Sequence, residues 1–292
     1  MGDWGVNVYQ GCEHACKFCY APVQPGVRGQ PFWAGKTQAD WGRHFGERVG
    51  LVEALKKQLL TFTPARAVQT SWGRGRILVS FLCDAYQPLE ERLGRTRQVL
   101  ELLLAAGHHV RIQTRSTLVR RDFALLGQYK EQVRLGTSLP HLDDGLARVL
   151  EPQAAAPTAR LAMLGEAAQW GIPVYAAIAP FLPCHDLALL DEVVARVKLL
   201  GPTEIFCEVL NPKGNCVQTV ARALETTHPA EARIAAAYDD AAWARWTFEV
   251  LRHGVEQHAG AGFVAWPDTS RAWASHLGGD EVKFLNQFLP PG

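Results

Sequence analysis

Three cysteines stand within eight residues, in the run Tyr9-Gln-Gly-Cys12-Glu-His-Ala-Cys16-Lys-Phe-Cys19-Tyr20-Ala. One short loop of this kind can wrap three thiolates around three irons of a cubane [4Fe–4S] cluster, for which soft thiolates are suited. Four cysteines would satisfy every iron and make an electron-transfer site. Three leave one iron open to an outside ligand, and an open iron is where chemistry can occur. Structural zinc is the competing use, but it wants a fourth ligand, usually from a second pair. His14 lies inside the loop, yet no distant Cys-x-x-Cys or His-x-x-x-His partner accompanies it. Three inert thiols fit poorly in a loop that also holds Glu13, His14 and Lys17. The seven cysteines are an odd number, and the N-terminus lacks a basic n-region followed by an apolar h-region. Metal or redox use is therefore expected rather than a disulfide framework. No apolar run approaches the ~20 residues of a membrane span. The expected location is cytoplasmic, with no membrane partner.

The elements that must position this loop alternate. Short apolar runs of strand length recur at Val6–Tyr9, Ile77–Cys83, Val110–Thr114, Val133–Ser138, Val174–Ala179 and Ile205–Val209. Each is nearly continuous, as expected of a strand buried on both faces. Between them, Leu51–Leu60, Thr96–Ala106, Leu161–Gln169 and Leu187–Leu199 carry apolar residues at three- and four-residue spacing. Gly107 and Gly171 read as helix ends. Strand–helix repetition implies parallel pairing with right-handed crossovers. The expected fold is α/β: a partial (β/α)6 barrel over residues 1–215, with a helical C-terminal extension over 216–292 packed on it. An open doubly wound sheet is the alternative. The extension is tryptophan-rich (Trp243, Trp246, Trp266, Trp273), and core packing is the expected use of those rings.

Of the 292 residues, 48% are hydrophobic and 20% charged, which excludes a disordered chain. The net charge of +1 hides an asymmetry: residues 1–130 carry 18 basic and 10 acidic side chains, residues 131–292 carry 12 and 19. Part of the surplus is the arginine series Arg92, Arg95, Arg97, Arg111, Arg115, Arg120 and Arg121. A basic face attracts anionic substrates or nucleic acid, whereas solvated helix faces account for the same residues without a ligand.

Cys12-x-x-x-Cys16-x-Phe18-Cys19, placed after a first strand, resembles the cluster motif of the radical S-adenosylmethionine (radical SAM) superfamily. Asn7-x-Tyr9-x-Gly-Cys-x-His14 and Cys19-Tyr20-Ala21 resemble its spore photoproduct lyase-related branch. So do Asp84-Ala-Tyr86-Gln87-Pro88-Leu-Glu90 with Thr96-Arg97, Gln113-Thr-Arg115-Ser116 with Arg121-Asp122, and Leu142-Asp143-Asp144 with Leu150-Glu151-Pro152. The resemblance spans about residues 7–215.

It implies a [4Fe–4S] cluster on Cys12, Cys16 and Cys19, with S-adenosylmethionine (SAM) on the open iron, at the C-terminal ends of the strands. It implies reductive cleavage of SAM to a 5′-deoxyadenosyl radical, hydrogen abstraction from substrate, and a one-electron reductant such as flavodoxin or ferredoxin. Phe18 and Tyr20 match positions on the adenine side. Cys83-Asp84 matches the segment that holds the SAM amino group, and Arg115 a position near the SAM carboxylate. Thr137 and Ser138 match ribose-facing positions, and Glu208 and Asn211 face substrate or SAM. Spore photoproduct lyase uses a cysteine three residues before this aspartate as hydrogen donor; that slot is Phe81 here, which argues against the same repair reaction. Cys83 offers a thiol instead, either as hydrogen donor or as a steric replacement for serine. Cys184, Cys207 and Cys216 lack the tight spacing of a second cluster, although Cys184 and Cys207 fall at strand ends. The substrate class stays open between nucleic acid and a biosynthetic small molecule or peptide. The reading from another class is a non-catalytic iron–sulfur or zinc protein for electron transfer or binding, which would need a closed coordination shell.

Overall fold

The computed structural model describes residues 3–70, 74–210, 212–236, 239–266 and 275–287. Seven strands form one sheet: β1 (Trp4–Val6), β2 (Ile77–Val79), β3 (Val110–Thr114), β4 (Val133–Ser138), β5 (Val174–Phe181), β6 (Glu204–Val209) and β7 (Phe263–Ala265). They lie side by side in chain order, and every pairing is parallel. Parallel neighbours need crossovers. Helices supply them: α1 (Leu51–Leu59), α2 (Arg95–Ala105), α3 (Pro157–Gln169), α4 (Leu187–Lys198), then α5 (Cys216–Leu224) and α6 (Asp240–His258). Asp186 caps α4 by accepting from the Leu189 N–H at 2.9 Å. Gly107 and Gly171 follow α2 and α3, where a helix end was expected.

The sheet is a barrel left open between β1 and β7. In a flat sheet, β3 and β6 would stand roughly 14 Å apart, three inter-strand spacings. Instead Arg111 of β3 makes a bidentate pair with Glu204 of β6 at 2.9 and 3.0 Å. The Arg111 guanidinium also lies 3.6 Å from the ring centre of Tyr175 on β5. The Tyr175 hydroxyl donates to the Ile112 carbonyl at 3.0 Å. Only a curled sheet brings these together. Arg111, Tyr175 and Phe206 are buried and fill the barrel interior toward the strands' N-terminal ends. Alternate residues of the strands face outward, where the helices cover Ile112, Val133, Leu135, Val174 and Ile205.

The first expected strand, Val6–Tyr9, is displaced to Trp4–Val6, and the second is shorter than its apolar run. β1 stops at Val6 because the Asn7 side chain turns to the neighbouring loop, accepting from the Phe81 and Leu82 N–H groups at 2.8 and 2.7 Å. Tyr9–Gln10 then pairs antiparallel with Gly46–Glu47. β2 stops at Val79, since Ser80 adopts φ +66°, outside the range of a strand. The tail is helical apart from β7, which adds a seventh strand beside β6. That three-residue strand was not anticipated; it is too short to carry an alternation signal. Trp243 is buried, and Trp246 stacks on Phe181 at 6.3 Å. Asp191 of α4 accepts from His253 and His258 at 2.9 and 2.7 Å, tying α6 to the barrel. Trp273 lies outside the described residues.

Gly136 is the closest approach inside the barrel: a Cβ there would meet the Tyr175 ring at 2.3 Å. Gly136→Ala is expected to lower unfolding free energy by about 2 kcal/mol through overpacking, measured by chemical denaturation.

Candidate functional site

The cysteine loop and the C-terminal ends of β2 to β6 converge on one cavity of about 200 Å³. Cys12, Cys16 and Cys19 line it from the loop after β1, and Ser80 to Asp84 from the loop after β2. Gln113 to Arg115, Ser138, Ala179-Pro180, and Phe206 with Glu208 complete it from the following strands.

The loop is held from two sides. Gly11 has φ +69°, and a Cβ there would lie 2.3 Å from the His44 carbonyl oxygen, so only glycine fits. Buried Gln87 donates to the Gly11 carbonyl at 3.3 Å and accepts from the Glu13 N–H at 2.8 Å. The Glu13 carboxylate accepts from the Leu89 N–H. On the other side, the Lys17 N–H donates to the Leu150 carbonyl at 2.8 Å, and Gln153 to that of His14 at 3.3 Å.

Asp84 joins this loop to the sheet. One carboxylate oxygen accepts from the Thr114 hydroxyl at 2.7 Å and the Tyr86 N–H at 2.8 Å. The other accepts from the Arg115 N–H at 2.7 Å and lies 3.3 Å from His14 Nδ1. Burial alone would raise its pKa, but His14, the Arg115 N–H and the Thr114 hydroxyl hold it below the ordinary carboxylate value. The carboxylate is thereby occupied by protein groups, so Asp84 supports the site more than it offers a ligand. Arg115 donates to Glu151 at 3.0 Å and to the Ala179 carbonyl at 2.7 Å, with its guanidinium 4.9 Å from the Phe18 ring centre.

Burial raises all three loop thiols. Cys19 reaches about 11 even though the Ala21 N–H and Trp41 pull the other way. Cys83 is likewise pushed up to about 11 by burial, partly offset by Ser80. Among the described residues, Asp191, His253 and His258 form the one group of three donors close enough to share a single ion.

Most of the expected site residues meet here: Phe18, Tyr20, Cys83, Asp84, Arg115, Ser138 and Glu208 all line the cavity. Thr137 does not. It precedes Ser138 on β4, so its side chain takes the opposite, helix-facing side, and its hydroxyl donates to the Thr114 carbonyl at 2.6 Å. Asn211 lies outside the described residues. Ser138 accepts from Gln113 at 3.0 Å. Gln113, Trp41, Leu82 and Phe206 were not singled out in advance. Two-residue periodicity from Arg111 could have found Gln113; the others depend on tertiary approach. Cys207 faces the helix-side core, and Cys216 contacts the Cys19 carbonyl and the Gln38 amide, each at 3.5 Å. These cysteines do not gather into a second donor group. The arginine series is not a free cationic face either: all seven members stand in ion pairs with Glu13, Glu47, Glu90, Asp122, Glu151, Glu166 or Glu204.

Removing the Asp84 carboxylate strands His14 and the Thr114 hydroxyl, so Asp84→Ala is expected to cost about 3 kcal/mol of stability. Because the folded pKa is depressed, the stabilisation is present above the unfolded value of 3.8 and is lost as pH falls below it. Denaturant titrations from pH 7 to 3 should show that loss in the parent, with a shallower decline in Asp84→Asn.

Among the described residues, no helix is long and apolar enough to cross a membrane. An uncharacterized protein of Acidianus two-tailed virus is 32% identical over 219 residues, covering 72% of this chain and 68% of that one. An uncharacterized protein of Mycobacterium tuberculosis (strain ATCC 25618 / H37Rv) is 28% identical over 214 residues, covering 72% and 59%. The chain thus spans between about half and two thirds of these relatives. A variant spore photoproduct lyase with bound AdoMet and dinucleoside spore photoproduct superposes with TM-score 0.60 at 14% identity, over 90% of this chain and 76% of that one. Streptococcus suis SuiB bound to S-adenosylmethionine gives 0.59 at 14% identity, over 97% and 55%. These two likenesses carry the fold. The family model of the Radical SAM superfamily matches residues 6–186, from β1 through the cap of α4, and the chain belongs to that superfamily, whose members use a [4Fe–4S] cluster and SAM.

Proposed function

We propose that this chain is a radical SAM enzyme in which Cys12, Cys16 and Cys19 ligate the cluster and the cavity over them holds SAM beside an organic substrate. The observation that carries the reading is the convergence of three thiols with the C-terminal ends of five strands on one cavity. Cys12, Cys16 and Cys19 would hold the cluster, and the chemistry it would supply is one-electron reductive cleavage of SAM for hydrogen abstraction from a C–H bond.

The chain's own groups bind, orient and shield. Phe18 and Tyr20 offer aromatic surface for adenine. Arg115, fixed by Glu151 and the Ala179 carbonyl, brings a permanent cation for the SAM carboxylate. Ser138, held by Gln113, offers a hydroxyl to the ribose, and Glu208 faces SAM or substrate. Thr137, turned away, takes no part. Phe81, 47% exposed at the cavity rim, gives an entering substrate an apolar surface. Cys83 is the candidate hydrogen donor. Its thiol, raised to about 11, stays S–H at neutral pH, the form that gives up a hydrogen atom. After it gives its hydrogen atom to the product radical, an electron from the external reductant, of the flavodoxin or ferredoxin class, and a proton from solvent would restore the thiol.

The substrate reading rests on analogy. Spore photoproduct lyase takes a dinucleoside, and SuiB a precursor peptide. Ion pairing of the arginine series takes those seven residues out of the argument for a nucleic-acid face, and the substrate class stays between nucleic acid and a small molecule or peptide.

The test is anaerobic reconstitution with iron and sulfide, followed by dithionite, SAM and chromatography for 5′-deoxyadenosine. The parent is expected to form it. Cys12→Ala, Cys16→Ala and Cys19→Ala should lose it, whereas Cys83→Ala should retain it. A reducible cluster that neither cleaves SAM nor changes its EPR spectrum on SAM addition would overturn the reading in favour of electron transfer.

A further inference from the structure

Behind Cys16 lies a buried ionic group that does not line the cavity. Glu151, just beyond the helix Asp144–Leu150, and Arg160, on α3, are both fully buried. Their charged atoms approach to 2.7 Å, while Arg115 reaches the other Glu151 oxygen at 3.0 Å. The group abuts the cysteine loop directly, because the residue before Glu151 accepts the Lys17 N–H at 2.8 Å. His141 and His185 close it off, their rings 5.5 Å apart. Each accepts a backbone N–H at Nδ1, from Asp143 and Leu182, so the remaining proton sits on Nε2. Burial pushes these rings down to about 4 and about 3, which leaves them neutral. Arg115 and Arg160 therefore share Glu151; Asp84 is a further carboxylate acting on Arg115, which leaves Arg160 the less compensated of the two.

The donors outnumber the acceptors. Arg160 Nε and Nη2, His141 Nε2 and His185 Nε2 are buried with no hydrogen-bond acceptor. A buried cation with unanswered donors is costly. Cys16 is close enough to act electrostatically on Arg160, so an anionic, acceptor-rich group on that side would answer these donors. A cluster held by three thiolates has that chemistry: it carries one net negative charge, and two after one-electron reduction. Arginine does not titrate in this range, so its charge is permanent.

We propose that Arg160, held by Glu151 against Arg115, is the fixed counter-charge of the cluster and sets its reduction potential by favouring the reduced state. Arg160 touches neither SAM nor substrate; it is a positioning and tuning residue acting through Cys16. The proposal rests on the reading that Cys16 is a cluster ligand.

The experiment is an anaerobic redox titration of the cluster-loaded protein, followed by EPR, with iron content and SAM affinity measured on the same samples. Arg160→Met is expected to lower the reduced-to-oxidised ratio at fixed poise at least tenfold, about 59 mV for a one-electron couple. Glu151→Gln removes the opposing charge and is expected to shift the ratio the other way. Arg160→Lys keeps the charge and should stay near the parent, and both Arg160 variants should bind SAM like the parent. A merely structural role would give no shift, or the same sign in both neutralising variants; either result overturns the proposal. If Arg160→Met fails to load iron, the prescribed signs for Glu151→Gln and Arg160→Lys still decide it. A parent without a cluster on the three cysteines would instead refute the underlying functional reading.

Discussion

The buried carboxylate of Asp84 is the constraint on which the site depends. It is a charge taken out of water, and its location is tolerable only because four groups from three segments meet it. Those segments are the cysteine loop, the turn after β2 and the end of β3. Each also buries apolar side chains, Phe18, Tyr86 and Ile112 among them, so packing and charge act together. A second layer of charge supports the first. Glu90 accepts from the Thr96 N–H at 2.8 Å and from Tyr9 and Arg121. Asp122 accepts from Tyr86 at 3.0 Å and Arg97 at 2.8 Å. Directional contacts of this kind specify position where hydrophobic contacts, which are non-directional, do not.

The same preference for charge over apolar filling shapes the barrel. Its interior holds Arg111, Glu204, Tyr175 and Phe206 where layers of branched aliphatic side chains are the usual filling. The pair closes the barrel toward the strands' N-terminal ends, so open volume remains at the C-terminal ends, where the loops can be varied for chemistry without disturbing the core.

The three cysteines stand out in the sequence because metal-ligand loops need particular side chains at particular spacing, and the structure places all three on the cavity. The strands were legible because burial on both faces demands continuous apolar runs, and Val133–Ser138 was read to the residue. What escaped depends on the third dimension. Thr137 and Ser138 are neighbours in sequence, but the pleat lets only one of them face the cavity. Arg111 reads as surface charge until the sheet curls and brings Glu204 opposite. Arg160 sits on a helix among ordinary polar residues, and its burial becomes visible only when α3 packs behind the loop. Many motif residues outside the cysteine loop, Tyr86, Gln87, Glu90, Thr96, Arg97, Asp122 and Glu151 among them, turn out to hold the loop in place rather than to line the cavity.

The two-sided grip on the cysteine loop also sets a schedule for biogenesis. The cysteines leave the ribosome well before the residues that restrain them, Gln87 and Asp84 first, then Leu150 and Gln153. At about 5–20 residues per second, the nascent thiols wait on the order of ten seconds for the last of these. During that interval they are unprotected nucleophiles on an unfolded segment, open to oxidation and to stray metal. The cell must either keep them reduced through translation or deliver iron and sulfide only after the first half of the barrel has closed.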